Sequence, residues 1–154
     1  SAGFFMPGEF MKPSERGLAL IRQFEGLRLN AYKDIAGVKT IGFGTTKGVK
    51  MGDTITRDEA DRLLLEDAQR FADHIDAVVK VPLNQNQVDA LAALVYNIGP
   101  SAFAQSTLLK RINDGRHDLA ASEFERWVNA GGKRINGLVR RRAAERALYE
   151  SMDT

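Results

Sequence analysis

The sequence contains no cysteine, which excludes disulfide stapling and thiolate metal sites and fits folding in a reducing compartment. Its histidines are few: His74 and His117 are 43 positions apart (117 − 74) with no ligand-like spacing around either, so neither a metal nor another cofactor is expected. No apolar run approaches the roughly 20 residues that cross a bilayer, and the segment after Met11 lacks the layered pattern of a secretory signal. Acidic residues are missing from one long stretch: Arg126 to Arg142 holds Arg126, Lys133, Arg134, Arg140, Arg141 and Arg142 and no Asp or Glu. Such a stretch either attracts polyanions or forms a solvated helix face. A nucleic-acid binder would interleave stacking aromatics with that charge. Trp127 is the only aromatic there, so no nucleic-acid partner is expected.

What is present suits one globular domain: 154 residues, 44% hydrophobic and 27% charged, enough to bury a core without reading as disordered. Residues 1–10 are aperiodic and precede Met11. They read as a cloning remnant, with 11–154 as a single domain. Pro13-Ser14 opens a helix whose apolar positions Leu18, Ile21 and Phe24 recur at three-residue spacing until Gly26. From 27 to 55, glycines punctuate short β-prone pieces such as Val38-Lys39-Thr40-Ile41, the pattern of a small antiparallel lobe of hairpins. Thr56 and Glu59 form a capping box, and Ala60, Leu64, Ala68, Phe71, Ile75 and Val78 mark one face of a connecting helix over 56–80. Pro82 breaks it, and Asn84 with Gln87 repeats the cap signal. Val88–Ile98 is apolar nearly all round, as in the centre of a bundle, until Gly99-Pro100 ends it. Shorter helices come after it at Ser106–Asn113, Asp118–Trp127 and about Gly137–Ser151. The expected fold is α+β, mainly α: a small β lobe (27–55), a long helix (56–80) and a helical lobe (81–151), with a cleft between unequal lobes.

Two acidic residues stand out. Glu25 lies at the end of the first helix between Phe24 and Gly26-Leu27, and Asp34 comes nine positions later among turn residues. Apolar surroundings favour the neutral acid, and polar ones the carboxylate. That is how one protein obtains a proton donor and a water-activating base from two carboxyl groups, as glycoside hydrolysis requires. Taken alone the pair is weak evidence, because the chain holds 20 acidic residues.

The surrounding spacing is more specific. Glu25-Gly26, eight residues between Glu25 and Asp34, five between Asp34 and Thr40, then Thr40-Ile41-Gly42-Phe43-Gly44: this resembles the active-site segment of the phage-type lysozymes, glycoside hydrolase family 24. Ile55–Ala60, Asn97-Ile98-Gly99, Ser106-Thr107-Leu108, Arg126-Trp127 and Gly137-Leu138 with Arg140-Arg141 also fall where that family has similar segments. The likeness covers Ser14 to Tyr149. It implies a lysozyme-like two-lobe fold and hydrolysis of the β-1,4 bond between N-acetylmuramic acid and N-acetylglucosamine in peptidoglycan, with inversion. Glu25 would be the general acid, Asp34 would activate water and Thr40 would help hold it. It further implies substrate contacts from Tyr96, Asn97 and Ser106, and it puts Arg134 where a relative carries an arginine near the acid glutamate. Such an arginine favours the carboxylate form and opposes the acid role.

Simpler readings exist for each: Thr40 as a β-branched strand residue, Tyr96 as core, Asn97 as a helix C-cap, Ser106 as an N-cap. One position departs from the family. Many relatives have His after the Gly-x-Gly run, where Thr45-Thr46 stands here, which points to a changed pH profile. The resemblance also implies a phage or prophage source, synthesis in the host cytoplasm, action in the periplasm after release, and a monomer. Two alternatives are an inactive peptidoglycan-binding scaffold, against which the complete catalytic set speaks, and a lytic transglycosylase, which needs no second carboxylate.

Overall fold

The computed structural model describes residues 3–152. Helix α1 (Glu15–Glu25) starts after Ser14 and stops at Gly26. Its Leu18 and Ile21, one turn apart, pack with Phe43, Ala60, Leu64, Ala68 and Ala93 into a small core that ties α1 to the rest of the molecule. Strand β2 (Arg28–Lys33) pairs antiparallel with β3 (Lys39–Gly42), and the register shifts between Arg28 and Tyr32. A shift of this kind bends a strand. On its other side β2 is bonded to the chain leaving the lobe: Ala31 N–H donates to Asp53 O at 2.9 Å and Ile55 N–H to Leu29 O at 2.9 Å. This is the β lobe expected over 27–55.

Helix α2 (Arg57–Val78) begins at the capping box, with Glu59 N–H on Thr56 Oγ1 at 3.1 Å and Thr56 N–H on Glu59 Oε1 at 3.2 Å. The same device at Asn84 and Gln87 starts α3 (Gln85–Ile98). Residues Val88 to Val95 of α3 are all 0% exposed. It is the central rod, packed against α1, α2 and the final helix α7 (Asn136–Glu150). The larger core gathers around it, with Leu91, Leu94, Phe103, Ile112 and Phe124 at its heart. Between α3 and α7 lie α4 (Pro100–Ala104), α5 (Thr107–Asn113) and α6 (His117–Glu123).

Three features depart from the sequence reading. The helix expected to reach Trp127 ends at Glu123 and continues only as one 3₁₀ turn, Phe124–Arg126. Helix α4 is new, because five residues show no period. Two pairs of two-residue strands are also new. Strand β5 (Asn129–Ala130) pairs with β6 (Lys133–Arg134) across Gly131-Gly132. Strand β1 (Phe4–Phe5), inside the stretch that reads as a remnant, pairs with β4 (Leu83–Asn84). Phe5 packs on the larger core.

Candidate active site

Glu25 is the last residue of α1, where Gly26 turns the chain into the β lobe. Its side chain is 20% exposed, and Oε2 accepts from Arg141 Nη1 at 2.6 Å. The other oxygen faces Gly44. A Cβ at position 44 would lie 2.7 Å from Glu25 Oε1, and Gly44 has φ +87°, so both the space and the backbone demand glycine. Glu25, Phe24, Asn97, Leu138 and Arg141 line an open cavity of about 560 Å³.

The hairpin places Asp34 and Thr40. Tyr32 pairs with Thr40, and Asp34 N–H donates to Val38 O at 2.9 Å. Side chains alternate along a strand, so Tyr32, Asp34, Val38 and Thr40 share one face. Asp34 closes its own turn: Oδ1 accepts from Ala36 N–H at 2.9 Å and Val38 N–H at 2.8 Å. Oδ2 has no protein donor among the described residues. Thr40 is buried and donates Oγ1–H to Val38 O at 2.9 Å. Its hydroxyl can therefore still accept a hydrogen bond. Strand β3 ends at Gly42, and Gly44, four residues after Thr40, lies in the turn that follows.

Behind Glu25 lies a buried charged network. Arg141 donates from Nη1 to Glu25, from Nε to Glu145 Oε2 at 3.1 Å and from Nη2 to Ala93 O at 3.0 Å. Arg142 Nε sits 2.9 Å from Glu145 Oε1, and its Nη2 donates to Asn97 Oδ1 at 2.6 Å. Arg142 and Glu145 are both 0% exposed. Burial pushes the Glu145 carboxyl up, and the two guanidinium groups oppose that shift. Burial likewise brings Arg142 down to about 10.

The remaining residues singled out from sequence divide clearly. Tyr96 donates from its hydroxyl to Phe43 O at 2.5 Å and meets Phe71 edge to face at 5.5 Å between ring centroids. Burial, with Asp67 and Glu25 adding to it, pushes its hydroxyl pKa upward, so Tyr96 acts as a donor that clamps the strand end to α3. Ser106 is the N-cap of α5, accepting from Leu109 N–H at 3.0 Å. Asn97 is exposed, lines the cavity and holds Arg142.

Arg134 is not the arginine at the glutamate. It is exposed in β6, ahead of α7, whereas Arg141 lies on the buried side of α7 and makes that contact. The basic stretch is accordingly not one surface. Arg126, Lys133, Arg134 and Arg140 are exposed, and Arg141 and Arg142 are core. Trp127 is half-buried against the larger core. Thr45, the departure from the family, donates Oγ1–H to Asp67 Oδ2 at 2.6 Å, and both are buried.

Sequence reasoning missed Arg141, Glu145 and Asp67. A signal for the first two existed: Glu145 stands four residues after Arg141 and three after Arg142, the spacing of helical ion pairs. Nothing local marked Asp67 as the partner of Thr45, 22 positions away.

An α+β chain with a carboxyl group at a helix end beside an open cavity has an arrangement that glycoside hydrolysis can use. The similarities to known proteins are narrower still. The phage lysozyme family matches residues 22–145. An endolysin of Acyrthosiphon pisum secondary endosymbiont phage 1 is 48% identical over 145 residues, spanning 92% of this chain and 99% of that protein. A crystal structure of a P22 lysozyme mutant superposes with a TM-score of 0.82 at 44% identity, covering 92% of this chain and 99% of the other. The muramidase domain of SpmX from Asticaccaulis excentricus gives 0.86 at 38% identity, again over 92% and 99%. The chain belongs to the phage lysozyme family, and it is a muramidase acting on peptidoglycan.

Proposed function

We propose that Glu25 is the general acid and Asp34 the water-activating base of an inverting cleavage of the β-1,4 bond between N-acetylmuramic acid and N-acetylglucosamine. Glu25 protonates the glycosidic oxygen as the bond from that oxygen to C1 breaks. Water adds to C1 from the opposite face and yields a proton to Asp34, and Thr40 Oγ1 accepts a hydrogen bond from that water. With Oε2 held by Arg141, the transferable proton is carried on Oε1. The observation that carries this reading is the hairpin register: Asp34, just past β2, and Thr40, in β3, fall on one face of the hairpin, and β3 ends at Gly42, two residues before Gly44, the residue against Glu25.

Asn97 contributes to the substrate groove from the cavity wall. Tyr96, Ser106 and Arg134 contribute at most indirectly, Tyr96 by clamping the strand end and Ser106 by capping α5. The enzyme acts as a monomer, made in the host cytoplasm and working on the wall in the periplasm after release.

Inversion of a β bond releases an α reducing end. Proton NMR of freshly cleaved chitooligosaccharide or muropeptide, read before mutarotation, should show the α anomer first. Initial release of the β anomer would contradict Asp34 as a base acting through water.

A further inference from the structure

The buried charges under the cleft form a chain: Glu25, Arg141, Glu145, Arg142 and then Asn97, with both ends lining the same cavity. The two cations and two carboxylates balance. Glu145 is 0% exposed and touches neither solvent nor the cavity, so it has no access to substrate.

A general acid must carry a proton at working pH, and a guanidinium on its oxygen opposes that. The opposition is weaker if the guanidinium already has a counterion. Arg141 has one in Glu145, bonded through Nε at 3.1 Å, in a site where charges are poorly screened by solvent. Arg142 sits on the same carboxylate and adds positive charge to the far side of the network. These contacts connect Glu25 to buried residues that do not line the cavity.

We propose that Glu145 is a positioning residue that neutralises and orients Arg141, so that Glu25 can hold its proton, and that Arg142 sets the opposite bias. This rests on Glu25 being the acid.

Other charged or titratable groups facing Glu25 come from each neighbouring element. Arg140 and Arg141 of α7 share its cavity, and Tyr96 of α3 lies where the charges of Glu25 and of Asp67 from α2 both act on it. Arg22 on α1 itself is taken up by Glu15 and Asp61. Substitutions at 142 or 145 remove none of these groups; of them only Arg141 is bonded to Glu145, and it is the group through which Glu145 reaches Glu25.

The test is the pH profile of kcat and KM on a soluble peptidoglycan fragment for Glu145→Gln, Arg142→Met and the double variant. The limb where the rate falls with rising pH should move down by about one pH unit in Glu145→Gln, with KM little changed, and up in Arg142→Met, whose loss of the Asn97 contact can raise KM without moving the limb. The double variant, again charge-balanced, should return the limb to the wild-type position. A residue that only holds the fold would lower the rate in both single variants without moving the limb, and that result, or shifts of the same sign, overturns the proposal. If Glu145→Gln does not fold by circular dichroism, Arg142→Met decides alone: an unmoved limb refutes it. Failure of the acid assignment is distinguished separately, because Glu25→Gln would then retain activity.

Discussion

At Gly44 the β lobe comes so close to Glu25 that a methyl group would sit 2.7 Å from Oε1. Backbone cannot yield as a side-chain tip can, so Gly44→Ala should push the carboxyl out of place and strain a residue at φ +87°. We expect at least a tenfold loss of kcat, and thermal melting should show a stability cost of about 1–3 kcal/mol; wild-type kcat in that variant would show that the contact is slack. Thr45 gives a second residue-scale prediction. Its hydroxyl is the buried donor to Asp67, so Thr45→Val leaves a buried carboxylate oxygen short of a partner, at about 1–3 kcal/mol. Unchanged melting would mean that Arg70, 3.1 Å from Asp67 Oδ1, suffices by itself. His117 contributes a pH dependence. Burial lowers its pKa from the ordinary 6.5, so the folded state favours the neutral ring. Stability from this residue is complete above about pH 6.5 and declines as pH falls below it. Melts of His117→Gln between pH 5 and 7.5 should be flatter than those of wild type.

The helices that the sequence revealed are those whose local signals are complete. Both capping boxes, at Thr56 and Asn84, start α2 and α3 where the pattern Thr-x-x-Glu and Asn-x-x-Gln puts them. The all-round apolar character of α3 likewise marks its burial, and a hole there is costly: Leu91→Ala should destabilise by about 2–5 kcal/mol, read from urea or thermal unfolding. A loss under about 1 kcal/mol would contradict α3 as the central rod. What stayed hidden was short or long-range. Helix α4 and the two-residue strands β1, β4, β5 and β6 have too few residues to show a period. Strand β1 exists only because β4, about 80 positions on, offers it an edge. At the candidate site, the proposed trio Glu25, Asp34 and Thr40 could be singled out because their spacing is local to one helix and one hairpin. Arg141 was not, since its partner is 116 positions away. Two core arginines thereby read as part of a surface charge run.

Across the whole molecule, the positive charge available for docking on an anionic envelope is smaller than the sequence count suggests. Arg126 is further engaged by Glu123, leaving Lys133, Arg134 and Arg140 as the exposed group from that stretch. Three screened charges steer weakly, so lysis should fall only modestly as salt rises through about 0.2 M, where screening lengths drop below roughly 8 Å. A steep loss would locate an anion-binding surface elsewhere. At the centre stands a peptidoglycan hydrolase whose proton donor we propose to be Glu25. Mass spectrometry of muropeptides released by wild type and by folded Glu25→Gln addresses that proton donor most directly. Wild type should release reducing-end muropeptides carrying one added water, and the variant almost none. Anhydro-muropeptides from wild type, or equal release by Glu25→Gln, would contradict Glu25 as the acid of a hydrolase.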